Sequence, residues 1–512
     1  MRARLLVALW LALGLVGVSW AAAVPLMGAP DEPSHAVKAA AVVRGQLTGT
    51  PDPAYDGRAA PGQKTLVEVP ETFAALDPLP GCFAFSPQTP ASCSPEVTGD
   101  PDETAVVGTL AGRYPPVYYA LTGWPTLVSA QAPGVYGTRV VSALLGTGLL
   151  AWGLVLLVRT PSPRWALLGA AAGLPPMTAF LLGAVNPSAL EVSAAFCAWC
   201  ALLPLVLAPD PAQRRTRVLT GAGALALMLG LRASAPVLLA LLVLTVAALA
   251  PGPVLRDLVR APVVRAAAAV LVVAGAAATA WVLLAGTLAG PTGRYPEYAD
   301  PAVAAREAVA RTPRYLREMV GVLGWLDTPA PALTVVAWSL VVGGLLVLAL
   351  VRGTWRQRLV LLAVVAVVLV LPVAAQLPSA GDAGLIWQGR YLLPFAAGLP
   401  LACALVVARR APRGPGVLGG AAAALLLAGH AAALWALLRR HGVGATGDVL
   451  LRDAAWQPPG GAWLVQAGAA AGLLAATALL ARAAPGAPGE GLPGASDPCS
   501  STGRPSRVHT SG

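Results

Sequence analysis

The sequence predicts an all-α polytopic membrane bundle of about twelve spans with a large first extracytoplasmic loop, and three observations lead there. Of the 512 residues 56% are hydrophobic and 12% charged, against roughly 25% charged in an ordinary soluble domain. Apolar runs of about twenty residues, the length that crosses a bilayer, recur from one end of the chain to the other. The arginines fall in short clusters between those runs, so the net charge of +11 speaks for anionic lipid and membrane topology and against nucleic acid.

Taken in order, Met1-Arg2-Ala3-Arg4 and the run behind it make residues 1–27 a first span. It is read as a retained anchor rather than a cleaved signal peptide, because the run continues through Val24-Pro25-Leu26-Met27 and further spans follow. The other expected spans are Val135 to Val158, Trp165 to Val185, Ser188 to Ala208, Val218 to Leu231, Ala235 to Ala250 and Ala266 to Leu288. Leu333 to Val351, Leu359 to Gln376, Tyr391 to Val407, Val417 to Leu438 and Ala462 to Leu480 complete the set, all within 117–483.

Alternate connections carry the arginines: Arg159 and Arg164, Arg214 to Arg217, Arg256 to Arg265, Arg352 to Arg358, and Arg409 to Arg413. The positive-inside rule makes these cytoplasmic, and parity then puts both termini inside. Outside lie residues 28–116, expected to carry short surface helices, and loops near 290–332, 377–390 and 439–461. The tail 484–512 is rich in Gly, Pro and Ser and is expected to be a disordered cytoplasmic segment.

Pro30-Asp31-Glu32-Pro33-Ser34-His35 follows at once on the first span. Asp31 or Glu32 caps a short amphipathic helix whose stripe is Ala36, Ala39, Ala40 and Val43, lying along the membrane surface. The alternative is chemical: a carboxylate at the outer mouth of a bundle stands where a general base can activate a hydroxyl beside a lipid-borne donor. His35 and Lys38, on the same helix, either bind phosphate or pair with the acids. From Thr48 to Asp102, Pro and Gly favour irregular structure or a small β element, within which Cys82 and Cys93 are either a disulfide or two free thiols. Cys197 and Cys200 read as small packing residues rather than a metal pair.

Further along, Gly112-Arg113-Tyr114-Pro115-Pro116-Val117-Tyr118-Tyr119 leads a second short helix back to the membrane, with aromatics suited to the headgroup layer. Arg113 and Tyr114 are candidate substrate contacts. So are Asn186, in the tight Asn186-Pro187-Ser188 hairpin, and Glu191 one turn on, which either binds substrate or caps its helix. In Gly324-Trp325-Leu326-Asp327-Thr328-Pro329, Asp327 reads as a turn or cap, or with Trp325 faces a sugar ring. In Trp387-Gln388-Gly389-Arg390-Tyr391, Arg390 either snorkels to headgroups or awaits an anion, with Gln388 and Tyr391 beside it. Arg232 and Arg139 raise the same question. A Gly-rich phosphate loop, a Ser-His-Asp spacing and a metal cluster are all missing from the sequence, and four scattered histidines make no preformed site, so ATP-driven chemistry is not expected.

These stretches, with Tyr114-Pro115-Pro116-Val117-Tyr118-Tyr119, Asn186-Pro187-Ser188 and Gln388-Gly389-Arg390-Tyr391-Leu392-Leu393-Pro394 in this order, resemble the bacterial predicted membrane proteins of domain-of-unknown-function family 2142. That family is in turn similar to the GT-C superfamily of polytopic glycosyltransferases. The resemblance implies a protein of the bacterial plasma membrane that moves a sugar, with inversion, from a polyprenyl-phosphate carrier to an envelope polysaccharide or glycoprotein acceptor. It implies Asp31 as the base, Glu32 as its neighbour or as ligand to a divalent cation (Mg or Mn), and Arg390 as a phosphate clamp. The competing classes are a transporter or flippase for an envelope precursor, using Asp31, Glu191 and Arg390 as binding groups, and a non-catalytic subunit of polysaccharide assembly. A transferase requires Asp31 and Arg390 in one hollow; a transporter requires related halves and a path across.

Overall fold

A computed structural model describes residues 2–55, 63–287, 293–411 and 414–484. The tail from 485 onward, Cys499 and Arg413 lie outside the described residues. The chain is mostly helical, because long runs of Ala, Leu and Val can satisfy their backbone groups in an apolar solvent only within helices.

Helix α1 (Arg2–Ala23) leads into α2 (Glu32–Val42), strands β1 (Thr50–Pro51), β2 (Thr65–Pro70) and β3 (Thr104–Thr109), then α3 (Val117–Thr122), α4 (Pro125–Val128) and α5 (Ala132–Leu157). Next come α6 (Pro163–Ala172), α7 (Pro176–Leu182), α8 (Ser188–Leu207), α9 (Arg214–Leu229), α10 (Ala235–Leu249), α11 (Gly252–Arg260) and α12 (Pro262–Leu284). Helices α13 (Pro301–Ala310) and α14 (Thr312–Gly321) precede a small hairpin, β4 (Val322–Leu323) and β5 (Thr328–Pro329). The chain ends in α15 (Ala332–Arg352), α16 (Trp355–Ala374), α17 (Ala380–Ala383), α18 (Leu393–Ala396), α19 (Gly398–Ala408), α20 (Gly416–Val443) and α21 (Ala462–Ala483).

Among the described residues nine helices are long and apolar enough to cross a membrane, and the bent pair α6–α7 makes a tenth. That pair turns by 70° where Leu174, Pro175 and Pro176 interrupt the ladder. The other two expected spans are helices where anticipated, but α9 and α10 have only 16 and 15 residues, short of the roughly twenty that cross unaided. Helix α8 is the axis of the bundle: every residue but Leu202 is buried. Helix α12 has the opposite character, exposing Val270, Val272, Val273, Leu283 and Leu284. Apolar flanks of that kind, repeated on α15 and α20, call for hydrocarbon around them.

The described residues between 28 and 131 pack as a small unit on one end of the bundle. Sheet order is β1-β2-β3, all antiparallel, with Val67 opposite Val107 and Glu68 opposite Val106. The period-two alternation turns Val67 and Val69 inward against Phe73, Leu76, Tyr118 and Tyr119 and leaves Glu68 in water. Two expectations are corrected here. The apolar stripe of α2 does not face lipid: ten of its eleven residues are buried, because Ala36, Ala39 and Ala40 are small enough for the sheet and α3 to close over them. Tyr118 and Tyr119, expected among headgroups, are fully buried in the same core.

The loops of this end meet one another: Arg113 Nη1 donates to Gly286 O (3.0 Å), Trp325 Nε1 to Met27 O (3.0 Å) and Ala445 N to Pro87 O (2.8 Å). Cys82 and Cys93 are joined in a disulfide. The arginine-bearing connections gather at the other end, where Arg214 pairs with Asp257 and Trp165 Nε1 donates to Ala411 O.

Candidate functional site

The corner begins where the chain turns out of α1. Met27 and Asp31 both take left-handed backbone conformations (φ 58° and 66°), which reverse the chain within five residues. Asp tolerates that region better than most side chains. Asp31 occupies the position before α2, yet its carboxylate makes no capping bond. It turns instead to Arg390, whose Nη2 donates to Asp31 Oδ2 at 2.8 Å. The arginine side chain is 3% exposed and the aspartate 53%, so the acid is turned toward solvent and the guanidinium lies buried beneath it.

What brings Arg390 there is Gly389. A side chain at that position would come within 2.1 Å of Tyr315 O, so only glycine lets the 387–392 segment press onto α14. Gly389 N then donates to Glu318 Oε2 (2.8 Å), and Trp387 N to Gln376 Oε1 (2.9 Å). Arg390 Nε, Trp387 Nε1 and Gln388 Oε1 are buried with no hydrogen-bond partner. Unmet donors beside a half-exposed acid mark a site built for something further.

A second guanidinium faces the same corner. Arg232, in the turn between α9 and α10, lies 4.8 Å from the Tyr391 ring centre and 6.0 Å from that of Tyr114; Arg390 lies 5.5 Å from the Tyr391 ring. Arg232 Nη1 donates to Ser188 Oγ at 2.6 Å, while Glu191 Oε2 is 3.9 Å from its Nε. Burial raises the Tyr114 phenol above its usual value, with Arg232 working against it. His35 completes the wall. Burial pushes its imidazole down to about 3, Asp31 opposing the shift and Arg232 and Arg390 adding to it. The ring is therefore neutral, with Nδ1 2.8 Å from Tyr119 Oη and its edge toward Tyr114. Of its two expected roles, pairing with an acid is not made: the hydrogen bond of Nδ1 is to the Tyr119 hydroxyl.

Other candidates are fasteners. Glu32, expected to assist Asp31 or hold a cation, is fully buried: Arg139 donates to both its oxygens (2.7 and 2.6 Å) and Val185 N to Oε1 (2.9 Å). Arg139 in turn reaches the carbonyls of Ala21, Val24 and Pro25, clamping the end of α1. Lys38 is fully buried with its ammonium on Leu47 O and Gly112 O, and burial lowers its pKa to about 8. Asp327 accepts from Arg440 Nη2 (2.7 Å) and Thr328 Oγ1 (2.9 Å), so it braces the β4–β5 hairpin and does not face a ligand. Asn186 Oδ1 caps Ser188 N (2.9 Å), and Arg113 ties the 28–131 unit to Gly286. Trp325 is half-buried, its indole edge-on to Phe85 with ring centres 5.6 Å apart.

A magnesium or manganese ion does not fit these donors. Asp31 is tied to Arg390, the neighbouring Glu32 has no oxygen to spare, and among the described residues no three His, Cys, Asp or Glu side chains gather. Arg232, Tyr119 and Glu318 belong to the corner although sequence reasoning gave them little or no weight; Arg232 was legible only as an ionisable residue between two apolar runs.

Apolar helices with lipid-facing flanks and one polar corner at a bundle end define a polytopic helical membrane protein. Residues 13–399 match the model of a family described as predicted membrane protein (DUF2142), and the chain belongs to that family. No curated protein and no solved structure matches the chain.

Proposed function

We propose that this chain transfers a sugar from a polyprenyl-phosphate carrier to a hydroxyl of an extracytoplasmic envelope acceptor. The observation that carries the reading is the Asp31–Arg390 pair, a half-exposed carboxylate on a buried guanidinium that still has an unbonded donor. A carrier phosphate competes with Asp31 for Arg390. Once it binds, the carboxylate is released to act as a base. The acceptor oxygen gives its proton to Asp31 and bonds to the anomeric carbon as the carbon–oxygen bond to phosphate breaks, with inversion. The departing phosphate dianion is held by Arg390, with Arg232 adding positive charge, so no second acid is needed to protonate it.

In this reading the chain makes twelve passes of a bacterial plasma membrane, α9 and α10 included, with the 28–131 unit outside and both termini in the cytoplasm. The arginine-bearing connections support that orientation, and the Cys82–Cys93 disulfide suits an oxidising compartment. The test is to delete the gene, profile the surface glycans, and complement with wild type or Asp31→Asn. The wild-type gene restores the missing glycan and the Asn variant, at equal protein level, does not; full restoration by Asp31→Asn would end the proposal.

A further inference from the structure

Six non-glycine residues among those described have left-handed backbones, and four of them lie in this corner: Met27, Asp31, Phe85 and Leu326. Such conformations are unfavourable for L side chains and persist where the surroundings impose them, which is commonest at binding sites. Two belong to turns that hold an aromatic ring. Phe85 (φ 60°) sits in the disulfide-closed segment 82–93 with its side chain 68% exposed. Leu326 (φ 59°) directly follows Trp325.

Neither turn is loose. Arg440 donates to Phe83 O (2.6 Å), Ser86 O (3.1 Å) and Thr89 O (2.7 Å) and pairs with Asp327, tying the Phe85 segment and the Trp325 hairpin to one guanidinium. Phe83, fully buried, already anchors the segment, so Phe85 is not needed for packing. A rigid, covalently closed loop thus holds a large apolar ring in water, edge-on to a half-buried indole at 67°. The two rings meet edge to face, and Phe85 keeps most of its surface open. The segment from Phe83 to Ser92 contains no charged residue, which suits a neutral hydroxylated ring and offers no countercharge to an anion.

We infer that Phe85 and Trp325 form a stacking platform for a pyranose ring of the acceptor glycan. The apolar C–H face of the sugar lies on the electron-rich ring face, and its hydroxyls stay in water. Trp325 is bonded to Met27 O, and Asp31 is four positions beyond Met27, so their Cα atoms are at most about 14 Å apart. The word acceptor rests on the transferase reading above; the binding itself does not.

Saturation-transfer NMR on the full-length protein in lipid nanodiscs, with cellohexaose as probe, tests the platform. Wild type and Phe85→Tyr should saturate the sugar ring protons, and Phe85→Ala should bind about three- to tenfold more weakly. No saturation in wild type, equal saturation in Phe85→Ala, or contacts from Phe85 to lipid protons in place of sugar would each overturn the inference. The two readings fail separately. Full glycan restoration by Asp31→Asn with Phe85-dependent binding retained removes transfer and leaves a glycan site; the converse removes only the platform.

Discussion

Asp31 and Arg390, 359 positions apart, meet through a hydrogen bond of 2.8 Å at the one end of the bundle where the loops converge. The guanidinium is buried and the carboxylate is half in water. Each therefore has a distinct part in the proposed chemistry, the carboxylate accepting a proton and the guanidinium holding the phosphate charge.

Arg390→Lys keeps the charge but loses the planar fork, and Arg390→Ala loses both. Removing one oriented donor to a developing anion typically lowers kcat by about a hundredfold or more, so both variants should show that loss, with Lys the milder. Product formation from a polyprenyl-phosphate sugar, at matched protein level, measures it. Activity within a fewfold of wild type in Arg390→Ala would remove the clamp from the mechanism.

Glu32→Ala leaves the buried Arg139 charge without its carboxylate. Breaking a buried pair on one side costs about 3–5 kcal/mol, so this variant should unfold at markedly lower temperature in detergent. The double change Glu32→Leu with Arg139→Met should recover much of the loss. A destabilised protein that still transfers sugar at low temperature would confirm a purely mechanical role.

Gly389→Ala forces a methyl group into Tyr315 O. The 387–392 segment must move away from α14, carrying Arg390 off Asp31. Activity should fall as far as in Arg390→Ala while thermal stability falls less than in Glu32→Ala. Unchanged activity would show that the corner tolerates the displacement.

His35 has a pH signature. Its pKa is lowered from 6.5 to about 3 in the folded protein, so the unfolded chain takes up a proton first as pH falls. The stabilising contribution is complete above about 6.5 and is lost progressively toward about 3. His35→Gln should flatten this acid limb in melting curves recorded between pH 7 and pH 4. An unchanged slope would mean that other groups set it.

Reducing Cys82–Cys93, or replacing both with Ser, frees an 11-residue segment, a loss of about 2–3 kcal/mol in the loop-entropy account. Arg440 would lose its ordered carbonyls. Proteolysis should then cut between Phe83 and Ser92, and the intact protein should resist.

Sequence reasoning reached Asp31 and Arg390 because ionisable groups stand out in an apolar chain at the ends of spans. It could not see which acid met which arginine: Glu32 with Arg139 and Asp327 with Arg440 are separated by 107 and 113 positions, and no local pattern encodes such pairing. The alanine stripe of α2 looked like a surface helix because burial on the second side comes from β2 and β3, whose alternation is short and interrupted by Pro and Gly. The spans were legible from hydropathy alone. So was the shortness of α9 and α10, expected over Val218 to Leu231 and Ala235 to Ala250 and found with 16 and 15 residues.

The pairing of residue 31 with residue 390 also sets a timetable. At roughly 5–20 residues per second, a ribosome that has released the first of these needs roughly 20–70 s more to make the second. Over that interval the earliest loop waits with its acid uncovered, so chains truncated before the late arginine should be inserted in the membrane yet left open to quality-control proteases.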